Sequence, residues 1–190
     1  MTGADVAALI LAAGSSNRFG RDKRRALGPW QGPLLHHVLA LYRPIFADLA
    51  VVTGADDAFG IEACRLFEAR LVVNSRAWRG IGSSLAVGMG WLIEGGFAGV
   101  VVGLADMPWI APATIVEVKQ ALSRDLRPVA PVWQGESGFP RGIPAAHFDR
   151  LRSLDGDHGA GALLDWHPLP CDDPGVRRDV DRPEDVGEMS

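Results

Sequence analysis

Continuous apolar runs that alternate with helical spacing constrain this chain most. Val6–Ile10, Leu49–Thr53, Leu71–Val73, Gly99–Gly103 and Pro128–Trp133 read as buried strands. Helical patterns separate them, at 33–42, 58–69, 83–94 and 112–122. Strands apolar on both sides need cover on both faces. Alternation with helices therefore implies a mostly parallel sheet between two helical layers. The expectation is one α/β domain over residues 1–190, a Rossmann-like three-layer sandwich with a mostly parallel central sheet. Beyond Trp133 the pattern weakens. Short helices are expected at 144–151 and 159–165, a closing strand at 177–180 and a terminal helix from Pro183.

In such a sheet, ligands sit outside the carboxyl ends of the strands. That rule selects the loops after Leu11, Thr53, Val73 and Gly103. The first loop is the most telling. Leu11-Ala12-Ala13-Gly14-Ser15-Ser16 turns on small residues and then delivers Arg18, Arg21 and Lys23. Backbone N–H groups exposed by glycine and serine, with cations close behind, suit a polyphosphate. Of the 19 lysines and arginines, five fall between Arg18 and Arg25. With a net charge of −4, this is local positive charge on a mildly acidic chain. It fits a small anionic ligand and argues against general nucleic-acid binding. The loop is not a P-loop, because five residues separate Gly14 from Gly20 and no Gly-Lys-Ser/Thr follows. It also lacks the Gly-x-Gly-x-x-Gly dinucleotide fingerprint, which argues against a nicotinamide oxidoreductase.

After the fourth strand, Asp106 stands before Met107-Pro108 on a turn stiffened by the proline. A carboxylate there, facing a phosphate loop, suits Mg²⁺. Asp179 and Asp181 flank Val180, so an extended segment puts both carboxylates on one face. One of them can complete a metal site; the alternative is that Asp181 caps the helix opened by Pro183. Ser83 and Ser84, behind Gly80 and Gly82, can bond a ribose or phosphate or simply cap their helix. The five histidines show no ligand spacing. Cys64 and Cys171 are widely separated, as expected of reduced thiols. No apolar run is long enough to span a bilayer, and a cytoplasmic protein without membrane contact is expected.

Several motifs taken together resemble a known family. Leu11-Ala-Ala-Gly14-x-Ser-x-Arg18-Phe-Gly20-x-x-Lys23 and Leu104-Ala-Asp106-Met-Pro108 are similar to the signature segments of molybdenum-cofactor cytidylyltransferase-like nucleotidyltransferases, which share the nucleotide-diphospho-sugar transferase-like fold. Val51–Gly54, Trp78–Leu85, Gly156–Ala160 and Asp179–Asp185 match in register. The resemblance implies transfer of CMP from CTP to a phosphorylated acceptor, molybdopterin, with Mg²⁺ and release of pyrophosphate; a molybdoenzyme is an implied partner. It assigns base and triphosphate binding to the loop Leu11–Ser16 with Thr53, Ser83 and Ser84. It puts Arg18 and Lys23 on the phosphates and the metal on Asp106 and Asp181. GTP in place of CTP, a sugar-phosphate acceptor, and a non-catalytic chaperone for a molybdoenzyme are the alternatives. The chain departs from the pattern in three places. Arg141-Gly142 follows Gly138-Phe139-Pro140 where apolar residues are usual, Gly161 stands where arginine is common, and Arg24-Arg25 follows Lys23 where the family is more apolar.

Overall fold

Residues 7–12 are buried on both faces of the sheet, and the alternation of side chains decides which core each enters. In the computed structural model, which describes residues 5–14 and 19–186, β1 (Val6–Leu11) sends Ala8 and Ile10 into one cluster and Ala7, Leu9 and Leu11 into another. The first cluster is closed by α1 (Leu34–Tyr42), α2 (Ala58–Leu66) and α4 (Pro112–Asp125), through residues such as Leu35, Leu39, Ala63, Ile115 and Leu122. The second is closed by α3 (Ile81–Gly95) and the single turn α5 (Phe148–Leu151), through Leu85, Met89, Leu92, Phe148 and Leu151. Two helical layers thus cover one sheet, as the continuous apolar strands require.

The remaining strands are β2 (Leu49–Gly54), β3 (Arg70–Asn74), β4 (Gly99–Leu104), β5 (Val129–Trp133), β6 (Glu136–Ser137), β7 (Arg141–Pro144) and β8 (His167–Pro170). Their order is β3-β2-β1-β4-β7-β5-β6, with β8 also paired to β5. From β3 to β4 all neighbours are parallel. β7 is antiparallel to both β4 and β5. The carboxyl ends of β1 and β4 are adjacent, in a register that pairs Leu11 with Leu104. Close approach helps here: a Cβ at Gly103 would lie 2.5 Å from the Tyr42 hydroxyl oxygen, so α1 packs tightly only because position 103 lacks a side chain.

Three expectations for the last third are corrected. The closing strand expected at 177–180 is replaced by a 3₁₀ turn, Pro174–Arg177, and residues 178–180 lie outside the strands. The short helix expected at 144–151 is present as a 3₁₀ turn, Ala145–His147, running into α5, whereas that expected at 159–165 shrinks to a 3₁₀ turn, Ala160–Ala162. The helix opened by Pro183 is a single 3₁₀ turn, Pro183–Val186. Cys64 and Cys171 are free thiols, and among the described residues no helix is long and apolar enough to cross a membrane.

Candidate active site

A cavity of about 660 Å³ opens at the carboxyl rim of β1 and β4. Leu11, Ala12, Ala13 and Gly14 leave β1 as one wall; Leu104, Ala105 and Asp106 leave β4 beside it. The start of α3 supplies Gly80, Ile81 and Ser84, while Trp78, Asp157 and Asp181 complete the lining with Lys23 and Arg24. Trp78 is 80% exposed at the rim, an apolar plate with one face open to solvent. Gly80 has φ +106, and a Cβ there would meet the Gly156 backbone at 2.7 Å. Glycine therefore lets the 155–157 loop close over the start of α3, where Gly82 N–H donates to the Gly156 carbonyl at 2.9 Å.

Lys23 comes from a 3₁₀ turn, Lys23–Arg25, capped by Asp22. Its ammonium donates to Asp106 Oδ2 at 2.7 Å, to the Val180 carbonyl at 2.9 Å and to Asp181 Oδ1 at 3.3 Å. Burial disfavours its charge, but the Asp106 and then the Asp181 carboxylates outweigh that and hold its pKa above the ordinary lysine value. The C-terminal segment is brought in by a backbone bond, Val180 N–H to the Asp106 carbonyl at 2.8 Å. Asp106, Asp179 and Asp181 each present a carboxylate oxygen within 4.8 Å of the others. Asp179 loses its proton less readily than an ordinary carboxylic acid, first through partial desolvation and then through the like charges of Asp106 and Asp181.

The Asp181 side chain faces Lys23, and the short turn after it folds back on the chain before it. The Asp185 carboxylate accepts the N–H groups of Asp181 at 2.8 Å and Arg182 at 2.6 Å. The donor set suits a hard divalent cation: several carboxylate oxygens converge, and Asp106 Oδ1 is buried without a hydrogen-bond partner.

Of the residues singled out from sequence, Leu11, Ala12, Ala13, Gly14, Lys23, Ser84, Asp106 and Asp181 share this cavity. Ser15, Ser16 and Arg18 lie outside the described residues. Ser83 and Ser84 both accept from the Asn74 side-chain amide, at 2.9 and 3.0 Å, and the Ser83 hydroxyl reaches the Gly80 carbonyl at 2.8 Å. That network fixes the loop after β3; only Ser84 also faces the cavity. Thr53 is fully buried, set against the start of α2 at Gly60, and does not line the cavity. No histidine lines it either. His37 instead pairs with the Pro108 carbonyl at 3.1 Å and stacks on Trp30.

Sequence reasoning left two contributors unassigned. Alternation in the sequence puts Asp179 on the face of Asp181 and offers one of the two as a ligand; the structure groups both with Asp106. Arg24 is the second. Its guanidinium bonds the Ala12 carbonyl at 3.0 Å, Asp22 at 2.8 and 2.9 Å, and both carboxylate oxygens of Asp57. Asp57 also caps α2 through Gly60 N–H at 2.9 Å. Arg24 thus ties the first loop to the end of β1 and the start of α2. Burial works against its charge, but the Asp22 and Asp57 carboxylates raise its pKa further above the ordinary arginine value.

A doubly covered, mostly parallel sheet with a carboxylate group and a lysine at one rim defines an α/β protein whose site suits a small, strongly anionic ligand. Comparison with protein families narrows this. Residues 8–180 match the MobA-like NTP transferase domain, and the chain belongs to that family. No curated protein matches significantly. Among solved structures, Rv0371c from Mycobacterium tuberculosis H37Rv is 25% identical with a TM-score of 0.79, covering 97% of this chain and 96% of that one. A manganese complex of the same Mycobacterium tuberculosis protein aligns at 22% identity and TM-score 0.72, over 90% and 89% of the two chains. The 4-diphosphocytidyl-2C-methyl-D-erythritol synthase of Anaerococcus prevotii aligns at 14% identity and TM-score 0.73, over 97% and 93%. The last two likenesses are of fold. Family membership supports a nucleotidyltransferase enzyme acting on small molecules.

Proposed function

We propose that this protein transfers CMP from CTP to a phosphorylated acceptor, molybdopterin, and releases pyrophosphate. The observation that carries the reading is the meeting of Lys23 and Asp106, Asp179 and Asp181 with the Leu11–Gly14 wall in one cavity. In the reaction an acceptor phosphate oxygen forms a bond to the α-phosphorus of the nucleotide. The bond from that phosphorus to the oxygen bridging to the β-phosphate breaks, and pyrophosphate leaves with the electron pair. The acceptor phosphate is already ionised near neutral pH, so no general base is required, in keeping with a cavity free of histidine. What the site must do is hold two anions together and in line.

Leu11–Gly14, with Ser15 and Ser16 beyond, would bind base and triphosphate together with Ser84, which Ser83 and Asn74 hold in place, while Thr53 would act only through the packing of the neighbouring strand. Lys23 and Arg18 would counter the charge on the departing pyrophosphate. Asp106 and Asp181, with Asp179 added, would hold Mg²⁺ or Mn²⁺, which when bound supplies positive charge at the phosphates. The manganese bound by the Mycobacterium tuberculosis relative and the cytidyl group in the name of the Anaerococcus prevotii enzyme support a divalent cation and CTP.

Pyrophosphate release tests the proposal, with CTP or GTP offered against molybdopterin and a panel of sugar phosphates. Release with CTP and molybdopterin alone supports it. Preference for GTP or a sugar phosphate reassigns the substrate, and binding without release in any pairing makes the protein a carrier, such as a chaperone for a molybdoenzyme.

Metal binding gives a further check. Because Asp179 keeps its proton to higher pH than an ordinary carboxyl, protons compete with the cation earlier on acidification. Mn²⁺ affinity, measured by calorimetry, should fall on acidification before the ordinary carboxylate range is reached. Asp179→Asn should flatten that fall while lowering affinity at neutral pH; an unchanged profile would remove Asp179 from the metal set.

A further inference from the structure

β7 is antiparallel to β4 and pairs Arg141 with Val102. Arg141 is therefore at the end of β7 nearest the loop that carries Asp106. Its guanidinium lies over two rings, 4.9 Å from the centre of Phe139 and 4.8 Å from that of Trp166. Nε donates to the Gly138 carbonyl at 3.3 Å. The Trp166 indole is itself fixed by its N–H to the Gly161 carbonyl at 2.9 Å. A Cβ at Gly161 would lie 3.1 Å from Arg141 Nη1, so glycine there leaves the fork its space.

Among the described residues no carboxylate pairs with Arg141. The nearby charge is a like one, Arg177, which is paired with Glu136 at 2.6 Å. Burial first, and Arg177 second, lower the Arg141 pKa from the ordinary arginine value, though arginine stays protonated. A half-buried guanidinium held by ring faces and one carbonyl is costly on its own and receptive to an anion. It borders a recess of about 60 Å³, room for one small group, walled by Leu85, Ile143 and Gly161. The recess shares Leu11 and Ile81 with the main cavity.

We propose that Arg141 is a specificity residue for the acceptor, taking an anionic group of it, phosphate or carboxylate, where this small apolar recess adjoins the main cavity. The inference rests on the transferase reading of the adjoining cavity. A planar, stacked, pre-oriented fork is suited to bidentate recognition of either anion.

The test titrates the full-length protein with inorganic phosphate and, separately, with acetate, following the Trp166 indole N–H by NMR in wild type, Arg141→Met and Arg141→Lys. Saturable movement in wild type that is lost in Arg141→Met supports the proposal, and the ion acting at lower concentration gives the class of the group. No movement with either ion, or equal movement in Arg141→Met, overturns it. Should Arg141→Met fail to fold, Arg141→Lys decides: about tenfold weaker binding is expected because lysine cannot reproduce the fork, and unchanged affinity would overturn the assignment. With any acceptor that is turned over, Arg141→Met should raise the acceptor KM about tenfold or more and leave the nucleotide KM within about twofold. Failure of wild type to release pyrophosphate counts against the transferase reading alone, since the anion titration is read without turnover.

Discussion

Asp106→Ala is expected to lower nucleotidyl transfer by about 10³-fold or more while the protein stays folded. The carboxylate is where three parts of the chain meet: it accepts from Lys23 at 2.7 Å and groups with Asp179 and Asp181. Its removal takes away a cation ligand and Lys23's shortest carboxylate contact together. The fold should survive because the structural bond at this residue is made by the backbone. The Asp106 carbonyl, not the side chain, holds Val180 N–H at 2.8 Å, and alanine preserves it. Lys23 also keeps the Val180 carbonyl and Asp181. Asp106→Asn separates charge from shape, since it retains the volume and one acceptor oxygen but not the negative charge. Pyrophosphate release under saturating Mg²⁺ is the measurement, with circular dichroism to verify folding. An alanine variant within a few-fold of wild type would remove Asp106 from the chemistry, and with it the proposed metal site.

Which parts of this were legible in the sequence follows from where each signal lives. β1, β2 and β4 are buried on both faces, so their apolar runs are continuous and their boundaries fall within a residue of expectation. β7 is four residues long and includes Gly142, and β8 is His-Pro-Leu-Pro at an exposed edge. Neither carries enough alternation to be seen, and prolines ordinarily argue against a strand except at an edge. The site shows the same division. Strand-end logic finds Gly14 and Asp106 because topology alone brings those ends together. It also selects Thr53, whose position is right but whose side chain alternation turns inward against α2. At Asp181 the sequence left capping and metal binding both open, and the side chain's contact is with Lys23, 158 residues away, which no local pattern shows. Arg24 is the clearest limit: its partner Asp57 is 33 residues away, and no local pattern links them.

That distant pair sets the second large effect. Arg24→Met should destabilise the protein by about 3 kcal/mol, because breaking a buried ion pair from one side leaves the other charge without compensation. The side chains of Arg24 and Asp57 are 14% and 9% exposed, so water can do little for the carboxylate left behind. Asp22, at 30% exposed, should rehydrate and lose little. For a chain of this length the change corresponds to a fall in Tm of about 6–12 °C. Arg24→Lys restores a charge but cannot span the Ala12 carbonyl, Asp22 and Asp57 at once, so it should recover less than half of the loss. The effect of Asp57→Asn should not add to that of Arg24→Met, because both break the same contact; Asp57 also caps α2, so its single substitution removes that cap as well. Chemical denaturation of the two single variants and the double variant measures the coupling. A Tm within about 2 °C of wild type for Arg24→Met, or strict additivity, would mean that the loop before α1 is held to β1 by other contacts and that Lys23 owes its position to the acidic group alone.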